Sequence, residues 1–114
     1  MIIKQSDEVI EEKPSLEGTK KCTLRWLVAQ EDGAKNFAMR LFELEPRGSI
    51  PLHAHVDTEH EIFVLEGRGI LNDGIKDHEI KKGDAIFVKP GDIHSFSNNT
   101  DQPLKFICVI PILK

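Results

Sequence analysis

Turn sequences divide this chain into short segments, and they limit its possible folds more than any other feature. Asn72-Asp73-Gly74 is typical of a type I′ hairpin turn, and Lys89-Pro90-Gly91-Asp92 has Pro and Gly at the central positions of a tight turn. No segment has the apolar periodicity of a long amphipathic helix. Short strand-like segments between Gly- and Pro-containing turns therefore indicate an all-β sandwich or barrel.

The segments that we predict to be extended are rich in apolar and β-branched residues. They cover residues 1–5, 22–30, 36–45, 52–55, 61–65, 85–88, 94–98 and 104–110. The period of 36–45 is ambiguous, but the flanking turns favour a strand that ends at Glu45-Pro46-Arg47-Gly48. With 114 residues, the chain is long enough for one domain that buries roughly two-thirds of its unfolded surface.

Charge and composition exclude several classes of partner. The chain has 15 Lys and Arg against 19 Asp and Glu, and these charges are scattered, so we expect neither nucleic acid nor an anionic membrane as a partner. The apolar runs have only the length of strands, too short to span a bilayer. Cys22 and Cys108 form no CxxC pair, and the first residues do not resemble a signal peptide, so we expect a reduced, cytoplasmic protein.

Four of the five histidines are spaced as metal ligands would be. His53 and His55 alternate on a predicted strand, so their side chains share one face, with Cα atoms about 6.6 Å apart. A turn between His55 and His60 would return the chain beside them, and His94 begins another predicted strand. Imidazole suits first-row transition ions. An isolated HxH pair can equally be a solvated surface feature, as we expect for His78.

The spacing around the first three histidines also matches a known motif. The HxH of residues 53–55 is followed by four residues, His60, six residues and Gly67. The chain here resembles the cupin family, whose first motif has a Gly, an HxH, three or four residues, a Glu, six residues and a Gly. Two positions depart from that motif. Arg47 stands where the first glycine is usual, with Gly48 after it, and His60 replaces the metal-binding glutamate.

The second cupin motif has a counterpart further along the chain. Its pattern is a Gly, five residues, Pro-x-Gly, two residues, a His, three residues and an Asn. The matching positions are Gly83, Gly91, His94 and Asn98. Lys89 occupies the usual proline position, and Pro90 follows one residue late.

The resemblance implies a single-domain cupin, which is an all-β jelly-roll barrel, over residues 1–114. The barrel core would cover about residues 36–110, and residues 1–20 would form an N-terminal arm. The chain is most similar to small cupins with four histidine ligands. This likeness implies one divalent transition metal (Mn, Fe, Ni, Cu or Zn) held by His53, His55, His60 and His94. It also implies a homodimer, for which an open edge strand gives a physical reason.

The pocket walls follow from the alternation of side chains along strands. If His60 faces inward, Glu61 faces outward, because adjacent side chains on a strand point to opposite sides. The residues that we expect to line the pocket are Ile62, Phe96, Phe106 and Cys108. Cys108 is either a buried inert thiol or a group within reach of the metal. Arg25 and Arg40 could each face the cavity and bind an anion, or point outward with the stem on the surface.

A site with His60 in place of a glutamate is one unit more positive, which strengthens its Lewis acidity and favours an anionic or enolisable ligand. Four protein ligands on an octahedral ion leave two positions open. We therefore expect a metal-dependent, dioxygenase-like oxygenase that acts on a small organic substrate. A non-catalytic small-molecule sensor, a non-redox isomerase or lyase, and a closed structural zinc site are also compatible with the residues. We assign no catalytic residue beyond the metal ligands and no organic cofactor.

Overall fold

The computed structural model describes residues 1–114 and is almost entirely β. Two short 3-10 helices cover Ser6–Glu8 and Gln30–Asp32. The strands are β1 (Glu11–Glu12), β2 (Lys20–Val28), β3 (Phe37–His53), β4 (His60–Glu66), β5 (Arg68–Asn72), β6 (Asp77–Lys81), β7 (Ala85–Val88), β8 (His94–Ser97) and β9 (Leu104–Pro111). No helix has the length and apolar character needed to cross a membrane.

The long strand β3 organises the sheet. Its first part pairs with both β2 and β9, whereas its last part pairs with β8. The strand order is β6-β5-β8-β3-β9-β4-β7, with β2 beside β3 and β1 beside β2, and all pairs are antiparallel. Because the two parts of β3 have different partners, the sheet curls on itself. This architecture is the single-domain jelly-roll barrel that the sequence predicts.

The prediction that a strand ends at residues 45–48 is wrong. β3 runs through this segment because one residue, Arg47, adopts a left-handed conformation with φ of 70°. Hydrogen bonds continue on both sides of the bend: the Arg47 N–H donates to the Asn98 carbonyl, and the Asn98 N–H donates to the Gly48 carbonyl, each at 2.9 Å. A single residue therefore provides the change of direction for which the sequence suggested a loop.

Alternation along the strands builds the core. His60, Ile62 and Val64 of β4 are buried, whereas Glu61 and Phe63 point outward, which confirms the predicted orientation of His60. β9 contributes a second buried row, in which every other residue from Leu104 to Cys108 is at most 2% exposed. These rows form one continuous apolar core with β2, β3, β6, β7 and β8.

Stacked phenylalanines join the two sides of the curled sheet. The Phe106 ring on β9 lies 5.2 Å from the Phe42 ring on β3 and 4.7 Å from the Phe96 ring on β8, measured between centroids. Phe106 is 1% exposed. Aromatic stacking adds to the free energy of burial, so these three side chains tie the sheet together at the floor of the cavity described below.

Two local predictions are wrong for identifiable reasons. The sequence predicted a type I′ turn between β5 and β6, and such a turn requires positive φ at both central residues. Only Gly74 has positive φ there, so the turn is of another type. The loop spans residues 73–76, and the Asp73 carboxylate accepts hydrogen bonds from the Ile75 and Lys76 N–H groups. Residues 1–5 form no strand; the arm instead pairs with β2 through β1.

Candidate metal centre

The four histidines singled out in the sequence come together at one end of the barrel. His53 ends β3, His60 begins β4, His94 begins β8, and His55 lies in the loop after β3. The ring centroids of His53 and His94 are 4.2 Å apart, and those of His53 and His55 are 5.2 Å apart. The His60 ring completes the cluster, with its centroid 5.2 Å from that of His94 and 5.6 Å from that of His55.

A β-bulge turns His53 toward the others. Ile50 pairs with Phe96 and His53 with His94, so β3 contains one more residue than β8 between these two pairs. The extra residue reverses the alternation, and a bulge of this kind re-aims the side chain that follows it. Ile50 and His53 consequently both line the cavity although they are three residues apart.

Backbone carbonyls orient two of the imidazoles. The Nδ1 atom of His53 lies 2.8 Å from the Pro51 carbonyl oxygen, and the Nδ1 atom of His94 lies 2.9 Å from the Asp92 carbonyl oxygen. A carbonyl can only accept, so Nδ1 carries the proton in both rings, and the lone pair of each neutral ring is on Nε2. This arrangement prepares Nε2 of both rings to act as a metal ligand.

Burial favours the neutral form of three of the four imidazoles, those of His55, His60 and His94, because it lowers their pKa values. It lowers the pKa of His60 to about 4, with further lowering from the positive charges of its neighbours. Burial is also the largest cause of the lowered pKa values of His94 and His55. The Nδ1 atom of His60 is buried without a hydrogen-bond partner. A neutral imidazole is the protonation state that binds a metal ion.

The donor set fits a transition metal, although the side chains do not form a finished metal-binding arrangement. No group of three or more His, Cys, Asp or Glu side chains has its donor atoms placed to hold an ion as they stand. With metal–nitrogen bonds of about 2.0–2.1 Å, two imidazoles on one ion have centroids roughly 4.5–5.5 Å apart. The observed separations of 4.2–5.6 Å are close to this range.

A cavity of about 430 Å³ opens beside the histidines. Ile62, Phe96, Phe106 and Cys108, which the sequence placed in the pocket, all line it. Other lining residues were missed: Leu24, Trp26, Phe42, Ile50 and residues 14–17 of the arm. Alternation along β2 and β3 would have found most of these, because Trp26 shares a face with Leu24 and Arg40 with Phe42. No pattern in the arm indicated that it reaches the cavity.

The sequence did not decide whether Arg25 and Arg40 face the cavity, and the structure gives them different positions. The Arg25 guanidinium donates to the backbone carbonyls of Ser6, Asp7 and Val9, and it forms an ion pair of 3.0 Å with Glu11. Arg25 therefore fastens the N-terminal arm to β2 and does not line the cavity.

Arg40, by contrast, lines the cavity and contacts Cys108. Its guanidinium donates a hydrogen bond of 3.1 Å to the Cys108 Sγ atom. Burial raises the pKa of the Cys108 thiol, and the positive charge of Arg40 opposes that increase. Cys108 is 2% exposed, so it contributes a buried, protonated thiol to the wall of the cavity.

Comparison with known proteins places this fold in a family. Residues 40–110 match the family model for the cupin domain. The chain belongs to the cupin family. This cupin is 34% identical over 118 residues to a protein of Thermotoga maritima described as an oxalate-binding protein, and the match covers 99% of this chain and 95% of that protein.

Two solved structures are similar to this cupin over nearly its whole length. The polyketide cyclase RemF of Streptomyces resistomycificus is 37% identical with a TM-score of 0.92, and the match covers 97% of this chain and 79% of that one. A Thermotoga maritima protein described as a "predicted oxalate decarboxylase" is 30% identical with a TM-score of 0.86, covering 98% of this chain and 100% of that one. These similarities support a role in binding a metal or a small molecule.

Proposed function

We propose that this cupin binds one divalent transition metal and uses it to convert a small organic molecule in the cavity. The proposed ligands are His53, His55, His60 and His94. The observation that carries the proposal is the convergence of these four rings at the end of a cavity with mainly apolar walls. Manganese, iron, nickel, copper and zinc all accept imidazole ligands, and we leave the choice among them to experiment.

The donor set favours a non-redox reaction. Four neutral imidazoles bring no negative charge to the site, because His60 stands where the cupin motif has a glutamate. When bound, a divalent metal would supply Lewis acidity toward a carbonyl or carboxylate oxygen of the substrate. The apolar walls formed by Ile62, Phe96 and Phe106 limit the access of water to the bound substrate. The similarity to a polyketide cyclase supports a cyclisation, isomerisation or lyase reaction in preference to an oxidation.

An oxygenase is the second candidate. Four protein ligands would leave two positions of an octahedral ion for substrate and dioxygen, which is the reason that the sequence suggests this activity. Substrate-dependent oxygen consumption by the protein loaded with iron, manganese or nickel would favour the oxygenase. Turnover without oxygen consumption would favour the non-redox reaction. Saturable ligand binding without turnover would favour a binding protein, the role described for the relative from Thermotoga maritima.

Cobalt spectroscopy tests the metal site directly. The metal-free protein is titrated with Co²⁺ while the visible absorption is recorded, because the intensity of the bands separates six-coordinate from tetrahedral cobalt. We expect saturation at one equivalent with the weak bands of a site that keeps open positions. Intense tetrahedral bands would instead indicate a closed site of the structural kind. Failure to saturate at one equivalent would contradict the proposal.

A homodimer stays a prediction of the sequence. Phe63 on β4 and Phe87 on β7 are 48% and 58% exposed on the outer surface of the sheet, which gives an apolar face for association. Static light scattering measured during size-exclusion chromatography would determine the mass in solution.

A further inference from the structure

Arg40 is held in the cavity by aromatic side chains. Its guanidinium carbon lies 4.9 Å from the centroid of the Phe42 ring and 5.5 Å from that of the Trp26 ring. Cation–π contacts of this kind hold a guanidinium in place while leaving its N–H edge free to donate. The position of Arg40 in the cavity is therefore defined by packing, without a carboxylate to anchor it.

The hydrogen-bonding capacity of Arg40 is largely unused. Its one hydrogen bond goes to the Cys108 sulfur, a weak acceptor, and its Nε atom is buried without a partner. It forms no salt bridge, whereas Arg25 is paired with Glu11 and Arg47 with Asp101. Arg40 is half-buried, and a partly buried cation without a counter-charge is costly to the fold, so an anionic partner from outside the chain would stabilise it.

The cavity offers no internal anion to fill this role. Glu17 is the one acidic residue among those that line it, and Glu17 is exposed and makes no ion pair. The contacts of the Arg40 guanidinium are the Trp26 and Phe42 rings and the Cys108 thiol, and none of these groups is an anion. A guanidinium presents a planar fork of N–H donors that matches the two oxygens of a carboxylate.

Strand register places Arg40 on the same wall as one of the histidines. Arg40 pairs with Cys108 across β3 and β9, and Cys108 pairs with Ile62 across β9 and β4. Ile62 is two residues from His60 on the same face of β4. A single molecule in the cavity can therefore contact the guanidinium and the histidine cluster together.

We propose that Arg40 is the anion-binding residue of the cavity, and that its ligand is a small carboxylate with an apolar, flat body. The carboxylate takes the free donors of Arg40, and the body packs against the aromatic walls formed by Trp26, Phe42 and Phe106. The inference deepens the proposed function, on which it rests, by naming the chemical class of the substrate. A volume of about 430 Å³ is sufficient for a molecule larger than a bare dicarboxylate.

Trp26 provides the readout, because it is the only tryptophan of the chain and lies against Arg40. The metal-free protein is titrated with benzoate and, separately, with benzamide, which has nearly the same shape and no charge. Trp26 fluorescence reports occupancy of the cavity, and calorimetry gives an independent Kd. We expect benzoate to bind at least tenfold more tightly than benzamide, because only the carboxylate gives the guanidinium a counter-charge.

Three variants locate the origin of that difference. Arg40→Met should remove the preference for benzoate, whereas Arg40→Lys, which keeps the charge and loses the fork, should retain part of it. Arg68→Met removes the same charge from an exposed residue outside the cavity and should leave both affinities unchanged. Equal binding of the two probes by the unaltered protein, no saturable benzoate binding, or an unchanged preference in Arg40→Met would each overturn the inference.

Cobalt binding separates this inference from the proposed function. Arg40→Met should still bind one equivalent of Co²⁺, because Arg40 is not among the proposed ligands. If the unaltered protein binds no Co²⁺ but prefers benzoate through Arg40, the anion site stands and the metal proposal fails. If Co²⁺ binds as expected and the benzoate preference is absent, the metal proposal stands and the role of Arg40 is overturned.

Discussion

The two ends of the barrel differ in whether their buried polar side chains have hydrogen-bond partners. The asparagine end, defined by Asn98 and the segments around it, satisfies every polar atom of its central residue. The Asn98 side chain donates to the carbonyls of Leu44 and Gln102 at 3.0 and 2.7 Å. Its oxygen accepts from the N–H and hydroxyl groups of Thr100 at 3.0 and 2.7 Å. Asn98 is therefore a structural residue.

The histidine end, defined by His53, His55, His60 and His94, leaves polar atoms without partners. His60 Nδ1 and Arg40 Nε are both buried and unpaired there. Unpaired buried polar atoms are rare in native proteins and need an explanation. His94 begins β8 and Asn98 follows its last residue, so the contrast develops within one short strand. Hydrogen bonds complete the fold at one end, whereas the other end keeps donors and acceptors for a ligand.

Removing Asn98 should have the largest effect on stability. Asn98→Ala breaks the hydrogen bonds described above and leaves buried backbone groups unpaired, so we expect a loss of roughly 3 kcal/mol in the free energy of unfolding. Urea denaturation measures this loss. The exposed neighbour Asn99 is the matched control, and Asn99→Ala should change stability by less than about 0.5 kcal/mol. A loss below about 1 kcal/mol for Asn98→Ala would contradict the structural role assigned to it.

The buried thiols should make stability fall at alkaline pH. Burial raises the pKa of Cys22 to about 12, whereas an unfolded thiol has a pKa of about 8.5. Above pH 8.5 the unfolded chain loses this proton and the folded chain keeps it, so unfolding becomes easier as the pH rises toward 12. Between pH 8.5 and 10, this effect should lower the free energy of unfolding of the unaltered protein by about 1–2 kcal/mol. Cys22→Ala should abolish that decrease, which denaturation at each pH measures.

Cys108 is the comparison for Cys22, because it lies on the cavity beside Arg40. The positive charge of Arg40 opposes the increase in the pKa of Cys108. Cys108→Ala should therefore reduce the pH dependence of the free energy of unfolding by less than Cys22→Ala does. Equal slopes for the two variants, or no change in slope for Cys22→Ala, would disagree with the burial described for these thiols.

The bend beside Asn98 should hold a small amount of backbone strain. Arg47 has φ of 70°, which L-residues with a side chain adopt at a cost of about 1–2 kcal/mol. Arg47→Gly relieves this strain but adds freedom to the unfolded chain, so we expect a gain of about 0.5–1 kcal/mol in thermal denaturation. Arg68→Gly, within a strand, should lower stability instead. A loss of stability in Arg47→Gly would show that the exposed contact of Arg47 with Asp101 contributes more than the strain.

Replacing His60 should have the smallest effect on the metal-free fold. Leu has about the volume of His, and His60→Leu removes the buried Nδ1 atom that has no hydrogen-bond partner. We therefore expect the free energy of unfolding to change by less than about 1 kcal/mol. Urea denaturation in the presence of a chelator measures this change beside that of Asn98→Ala. A loss as large as that of Asn98→Ala would mean that the two ends of the barrel do not differ as described.

Much of the fold could be predicted from the sequence because its signals are local. Turn residues separate the strands, and alternation fixes which side chains of β4 and β9 face inward, including His60. The cupin motifs added the topology, which no local pattern contains. The bend at Arg47 was missed because Pro46-Arg47-Gly48 resembles a loop. Its one sequence signal is that Arg47 occupies a position where the cupin motif usually has a glycine, the residue that most easily adopts positive φ.

The arrangement of the candidate site depends on contacts between distant segments. The bulge that re-aims His53 exists only because β3 pairs with β8 in that register. Gly91, with φ of 86°, donates its N–H to the His55 carbonyl at 2.8 Å and so joins the loops that carry His55 and His94. The sequence likewise left Arg25 and Arg40 undecided, because their difference lies in the partners that the fold brings to each.

Metal content, measured by inductively coupled plasma mass spectrometry, tests the central claim most directly. The protein is purified without a metal-affinity tag, beside His60→Ala and the control His78→Ala, whose histidine is exposed and paired with Asp73. We predict close to one equivalent of a first-row transition metal in the unaltered protein and in His78→Ala, and a large loss in His60→Ala. No bound metal in the unaltered protein, or equal metal in all three, would contradict a site built from the four histidines.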